Sequence, residues 1–247
     1  MGSNSVDQNN HHEAIEVFQL DRRRLDSLHQ KLSTQPSLLS QSAGRVTCSI
    51  FRVPQTFIDH NGQALYYPDV VSIGPFHRGK PHLQIIQERK YQYLAQLLSR
   101  TKLSLEDLFN SLQHLQEKAR ESYSETILLD AHDFVELMVV DGCFVLELFR
   151  KVAKLVRFAN DDPIASMSWI FSFLLRDLLR LENQLPFFVL QKLFEVSRSE
   201  EERNGPSLQT LILTFFSYAV QKLDDVTEKF HNQQLRMNFV AYQNFRK

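Results

Sequence analysis

Between His82 and Asp162 the chain contains no proline and a single glycine, Gly142, whereas nine of its fifteen glycines and prolines lie between Pro36 and Pro81. A stretch without helix breakers can hold long helices, and a stretch dense in them must turn repeatedly. The distribution predicts a mainly α fold: a multi-helix bundle behind a turn-rich N-terminal segment, with room for one short extended strand. With 43% hydrophobic and 23% charged residues in 247, the chain can bury a sizeable core. Its 28 basic and 29 acidic residues leave a net charge of −1, without the basic excess of a nucleic-acid binder.

The helices can be placed from periodicity and caps. Glu13 to Lys31 reads as a first helix, with Val17, Leu20, Leu25 and Leu28 on its apolar face and Arg22, Arg23 and Arg24 fanning round it as a solvated turn. Val46, Cys48 and Ile50 alternate with polar neighbours, so Arg45 to Ile58 fits an extended segment, and Tyr66 to Gly79 an ordered loop. Leu83 to Leu97 then marks a helix, and Ser104 with Asp107 resembles a capping box opening the next. Asp130 and Asp133 open a helix to about Val156 that is apolar almost all round and belongs at the centre of a domain. Asp162-Pro163 caps a helix carrying Trp169, Ile170, Leu174 and Leu178; Glu182 to Leu185 breaks it, and Pro186 starts a shorter one through Phe194. Ser197 to Asn204 is a charged loop. The uncharged run Asn204 to Gln221 has the length of a membrane span, but Ser207, Thr210, Thr214, Ser217 and Gln221 form a polar stripe, so it reads as an amphipathic helix packed on protein.

Motifs for chemistry are scarce. No metalloprotease, nucleophile-elbow, dinucleotide or phosphate-loop pattern occurs, and no cofactor or metal is called for. His11-His12-Glu13 reads as a polar surface tract. Asp141 sits on an apolar helix face and needs a cationic partner, for which Arg176, Lys90 and His77 are candidates. Asp141 and Cys143 do not share a helix face, so a structural ion pair is favoured over an acid beside a nucleophile. Gly142 implies close approach of a neighbouring element. The loop around Gly74, Pro75, His77 and Arg78 reads as a packed turn with two solvated cations. Glu182, Asn183 and Gln184 can bond the last carbonyls of one helix and the first amides of the next, ahead of Pro186, and Asp177 can pair with Arg180.

Cys48 and Cys143 have no paired spacing, which favours a reducing compartment. Met1 to Asn10 lacks the apolar core of a signal peptide, Val6 stands where a myristoylation signal needs Ser or Thr, and no glycosylation sequon occurs. The expectation is a cytoplasmic or peripheral chain without a transmembrane segment.

The blocks Ile50 to Pro54, Pro68 to Gly79, Glu88 to Leu94, Asp133 to Leu148, Asp161 to Ile164 and Asp177 to Phe194, in that order, resemble the plant family known as domain of unknown function 247. The resemblance covers roughly Val46 to Leu223, the N-terminal half of such proteins. It divides the chain into residues 1–45, an N-terminal helix and polar linker; 46–223, the family domain; and 224–247, a divergent tail. It implies no established activity or catalytic residues. Members are typically longer and usually end in a hydrophobic anchor, which puts full-length relatives at the plasma membrane or another membrane. Some grass members look like determinants of self-incompatibility. The leading expectation is therefore a non-enzymatic protein-interaction or signalling module, a shortened or truncated family member, that binds an unknown protein partner. Two alternatives stay open: an unrecognised hydrolase or transferase using His77, Asp141 or Cys143, and a non-functional fragment.

Overall fold

A computed structural model describes residues 21–33 and 39–218. Val17 and Leu20, the His11-His12-Glu13 tract, Gln221 and the segment 224–247 lie outside the described residues. The chain separates into two units, Met1–Ser37 and Leu38–Lys247.

In the first unit, α1 (Arg22–Ser33) has no buried residue and carries Arg22, Arg23 and Arg24 in solvent. The second unit holds α2 (Gln55–Asn61), α3 (Gln84–Thr101), α4 (Leu105–Gln113), α5 (Gln116–Glu121), α6 (Ala131–Val152), α7 (Pro163–Ser166), α8 (Ser168–Leu178), α9 (Phe187–Val196) and α10, helical over 208–218. The architecture is mainly α, and α6 is its axis. Asp130 accepts a 2.7 Å hydrogen bond from Asp133 N to open α6, every residue from Leu137 to Lys151 is buried, and α3, α4, α5 and α9 pack around it. Lys154, left-handed at φ 61°, closes the end of α6, so the helix stops at Val152 short of the expected Val156. Ser104 and Asp107 form a complete capping box on α4.

The expected extended segment ends early. Ile50 bridges Tyr123 in parallel and Leu39 bridges Glu125 antiparallel, but among the described residues neither bridge grows into a strand. From Gln55 the chain turns helical instead. Pro54 O accepts from Phe57 N at 2.9 Å, Gln55 bonds Asp59 one turn on at 2.7 Å, and Ile58 is drawn into the core. The helix expected from Pro163 is two. Met167 closes α7 by bonding Pro163 O and opens α8 by accepting from Ile170 N. Ile170, Phe171, Leu174, Leu175 and Leu178 then face the core, while Trp169 is exposed.

On α10, Leu208, Leu211 and Phe215 are buried and Thr210, Thr214 and Ser217 exposed, the arrangement expected of an amphipathic helix on protein. Phe215 packs its ring against Phe149 of α6 and Phe171 of α8. Among the described residues no helix is long and apolar enough to cross a membrane.

Candidate functional site

The segment Pro68 to Gly74 has no regular structure, so its buried amides must find acceptors elsewhere. They find side chains. Both carboxylate oxygens of Asp177 accept from Asp69 N (2.9 and 3.0 Å), and Oδ2 also takes Val70 N (2.7 Å) and Val71 N (2.9 Å). Asn183 Oδ1 accepts from Ile73 N at 2.7 Å, while its amide donates to Val71 O and Asp177 O, both at 3.0 Å. Asp141 Oδ2 takes Gly74 N at 2.8 Å, and Oδ1 takes Lys90 Nζ at 2.5 Å. Lys90 donates in addition to Ser72 O. Arg180 ties Asp177 (3.2 Å) to Asp69 (2.5 Å) and to Ala64 O (2.6 Å).

Lys90, Asp141, Asp177 and Asn183, separate in the sequence, thus form one clamp on an irregular segment. Of the three cations weighed for Asp141, Lys90 is the one bonded to it; Arg176 is exposed and stacks on Phe173 at 4.2 Å. Burial raises the Asp141 carboxyl above its ordinary range, with Lys90 and the Gly74 amide pulling it back; burial does the same to Asp177, opposed by the three loop amides and Arg180.

Gly74 sits at φ +74°, and a Cβ there would lie 2.5 Å from Gln184 O, which also accepts from Tyr123 Oη at 3.1 Å. Pro75 follows it, half-buried. A Cβ on Gly142 would instead overlap Leu193 Cδ1, the tip of a flexible side chain on α9. Gln184 bonds the α8 carbonyls of Leu178 (2.8 Å) and the following Arg180 (2.9 Å), closing that helix as expected. The second half of the expectation differs. Pro186 is the α9 N-cap without a side-chain bond, and Glu182 and Asn183 accept from Val53 and Ile73, not from the first amides of α9. A buried carboxylate seeks cations, and Glu182 finds Arg52 Nη1 at 3.0 Å and His77 Nε2 at 3.1 Å beside the Val53 amide at 2.6 Å.

His77 is therefore not a solvated cation. It is 1% exposed, and only its neighbour Arg78 reaches water. Lys80 Nζ lies 2.8 Å from His77 Nδ1. An ammonium can only donate, so Nδ1 is the acceptor and Nε2–H faces Glu182, a neutral tautomer. Burial lowers the His77 pKa, against the pull of Glu182. For Glu182 burial alone would raise the pKa, but His77, Val53 N and Arg52 together bring it below the ordinary value. Beside these groups opens a cleft of about 760 Å³, walled by Phe51, Arg52, Ile58, Tyr67, Lys80 and Glu125. Arg52 stacks on Phe76 at 4.3 Å and Lys80 on Tyr67 at 4.0 Å.

A second buried polar cluster escaped the sequence reading. Arg150 on α6, fully buried, bonds Glu147 (3.2 Å), Glu202 (3.2 Å) and Ser197 Oγ (3.0 Å), and Arg100 of α3 bonds the same two carboxylates at 2.7 Å each. The available signal was Glu147 and Arg150, opposite charges three residues apart on the central, mostly apolar helix.

The catalytic alternative required His77, Asp141 and Cys143 to converge. Asp141 bonds Lys90 and Gly74, His77 bonds Lys80 and faces Glu182, and Cys143 is fully buried with its thiol pushed up to about 12 by burial. Among the described residues these three side chains make no hydrogen bond to one another. His132, Asp133 and Glu136, at the first turn of α6, bring ligand atoms within 4.8 Å of one another, but His132 and Asp133 are exposed.

Residues 50–242 match the family described as plant protein of unknown function, DUF247. The chain belongs to this family. The matched span takes in the second unit from Ile50 to Tyr242, with the clamp, most of the cleft and part of the segment 224–247. Among curated relatives it is similar to UPF0481 protein At3g47200 of Arabidopsis thaliana, 40% identical over 207 residues, covering 83% of this chain and 42% of the relative. It is similar also to Putative UPF0481 protein At3g02645 of the same plant, 28% identical over 225 residues, covering 87% of this chain and 40% of the relative. The chain thus spans about two fifths of the length of these DUF247 relatives. No solved structure matches it.

Proposed function

We propose that this DUF247 chain is a protein-recognition module that works without catalysis or cofactor, as part of a signalling assembly. One observation carries the reading: the groups that could do chemistry are committed to holding the fold together, and the open surface beside them is an aromatic, charged cleft. Asp141, Asp177 and Asn183 are saturated by backbone and cation partners, and Cys143 is held as a buried thiol. Around the cleft, by contrast, Leu39 is 62% and Phe51 52% exposed, the apolar-plus-charged surface typical of binding sites. The self-incompatibility role of grass relatives, which the resemblance implies, fits such recognition, with this chain acting in the cytoplasm or at the periphery of a membrane.

The test is a purified pair. A partner captured from plant tissue on the intact chain is expected to bind it saturably, with a micromolar or tighter Kd. Turnover of a substrate by the chain, lost in both His77→Gln and Asp141→Asn variants of unchanged fold, would sink the reading in favour of the hydrolase or transferase alternative.

A further inference from the structure

The two cations of the cleft are paired unequally. Arg52 is matched twice, by Glu125 at 3.2 Å and Glu182 at 3.0 Å. Lys80, on the same wall, makes no salt bridge among the described residues and feels Glu182 only from a distance: its ammonium meets neutral His77 and the face of Tyr67. Burial also lowers the Lys80 pKa, the sign of a cation held partly out of water. Such a group gains more from an incoming anion than a fully hydrated lysine does. Arg52 adds to this, for it bonds through Nε and Nη1 and its Nη2 has no partner among the described residues. An anion in the cleft would therefore meet donors from two residues. Glu125 and Glu182 stand nearby and repel a dianion more than a monoanion, which favours a carboxylate over a phosphate. Exposed Leu39 and Phe51, lining the same cleft, offer apolar footing beside the charge, which a chain can use and a small acid cannot.

We propose that the cleft binds an extended acidic peptide segment of the partner protein, one Asp or Glu carboxylate lying between Lys80 and Arg52 and flanking apolar residues resting on Phe51 and Leu39. This deepens the recognition reading and rests on it.

The test uses the intact chain and two labelled pools of end-blocked octapeptides, identical except for a central Glu in one and Gln in the other, read by fluorescence anisotropy. The Glu pool is expected to bind about fivefold tighter or more, with a preference that shrinks as salt rises. Lys80→Gln should remove the preference and Glu125→Gln should keep or enlarge it, each with an unchanged thermal melt. Equal binding of the two pools overturns the proposal. So does a folded Lys80→Gln that keeps the preference, inorganic phosphate competing better than acetate, or end-blocked glutamate alone binding as tightly as the pool. If a purified partner binds Lys80→Gln as well as the parent chain, recognition stands and the cleft is not its site. If the Glu preference holds but no partner binds saturably, the cleft chemistry stands and the recognition reading falls.

Discussion

Two buried polar clusters of the helical body, the clamp and the Arg150 cluster, look alike in composition and differ in what they hold. In the clamp, Asp141, Asp177 and Asn183 face backbone: they supply acceptors to the amides of Asp69, Val70, Val71, Ile73 and Gly74, which no helix or sheet satisfies. In the second cluster, Glu147, Arg150, Arg100 and Glu202 bind mostly each other and join elements already hydrogen-bonded as helices. Neither region is complete among the described residues: Glu147 Oε2 and Arg100 Nε make no hydrogen bond in the second cluster, nor does Ser72 Oγ in the clamped loop. A side-chain ion pair can be exchanged for apolar packing at little cost, whereas a buried amide deprived of its acceptor cannot be replaced away. The clamp is therefore the indispensable one, and it is the clamp that orients the loop leading into His77, Lys80 and the cleft.

The strongest way to break this comparison is Asp177→Ala, which strips three amides and Arg180 of their partner at once. Urea unfolding should show a loss of about 4 kcal/mol or a chain that no longer folds; a loss under about 1 kcal/mol would refute the indispensable role.

Glycine substitutions come next. Gly74→Ala meets a backbone carbonyl at an unfavourable φ and should cost about 3 kcal/mol. Gly142→Ala meets only the tip of Leu193 and should cost about half that by the same denaturant measurement. Equal costs would mean the loop can shift away from Gln184.

Paired replacements sharpen the contrast directly. Lys90→Met with Asp141→Leu leaves Gly74 N and Ser72 O unpaired and should destabilise by about 2 kcal/mol. Glu147→Leu with Arg150→Met leaves Arg100 and Glu202 bonded to each other at 2.7 Å and should fall within about 1 kcal/mol of the parent. The reverse ranking in thermal melts would overturn the argument.

The smallest effect is a pH slope at the edge of the clamp. His77 is held neutral by burial below its ordinary value of 6.5, so the folded chain binds fewer protons than the unfolded chain once pH falls toward and past 6.5. Stability should then decline on acidification from pH 7, and flatten again below the depressed folded value. Protonation would also remove the acceptor that Lys80 uses. Asp141 and Asp177, raised by burial, act with the opposite sign, gaining stability as pH falls through their folded values, and Glu182 loses its contribution only below about 4.5. His77→Gln should flatten the melting temperature between pH 7 and 5.5; an unchanged slope there would remove His77 as its source.

Much of the fold was legible because it rests on local signals. Ser104 and Asp107, Asp130, and Asp162 before Pro163 cap helices through side chains within three residues of the amides they serve. α6 announced itself through an apolar surface with no polar face, and the need of Asp141 for a cation followed from its place there. Most of what stayed hidden involves two distant segments. Arg150 and Glu147 could be read as charges on α6, but their partners Arg100, Ser197 and Glu202 come from other elements. α2 lay inside a segment whose alternation suggested strand, and its helix is settled by local bonds that the pattern of apolar residues does not report.

By itself the sequence determined that this chain would be helical, where its long central helix lay, which residues would start its helices and to which plant family it belongs. Propensity, caps and breakers act over a few residues and leave their mark in order. Only the tertiary structure decided that Asp177 and Asn183 reach back to the Asp69–Gly74 loop, that His77 is neutral between Glu182 and Lys80, and that Lys80 lines a cleft without a salt bridge among the described residues. Those outcomes depend on which charges lose their water and which partners then lie within hydrogen-bond reach, and packing alone sets both.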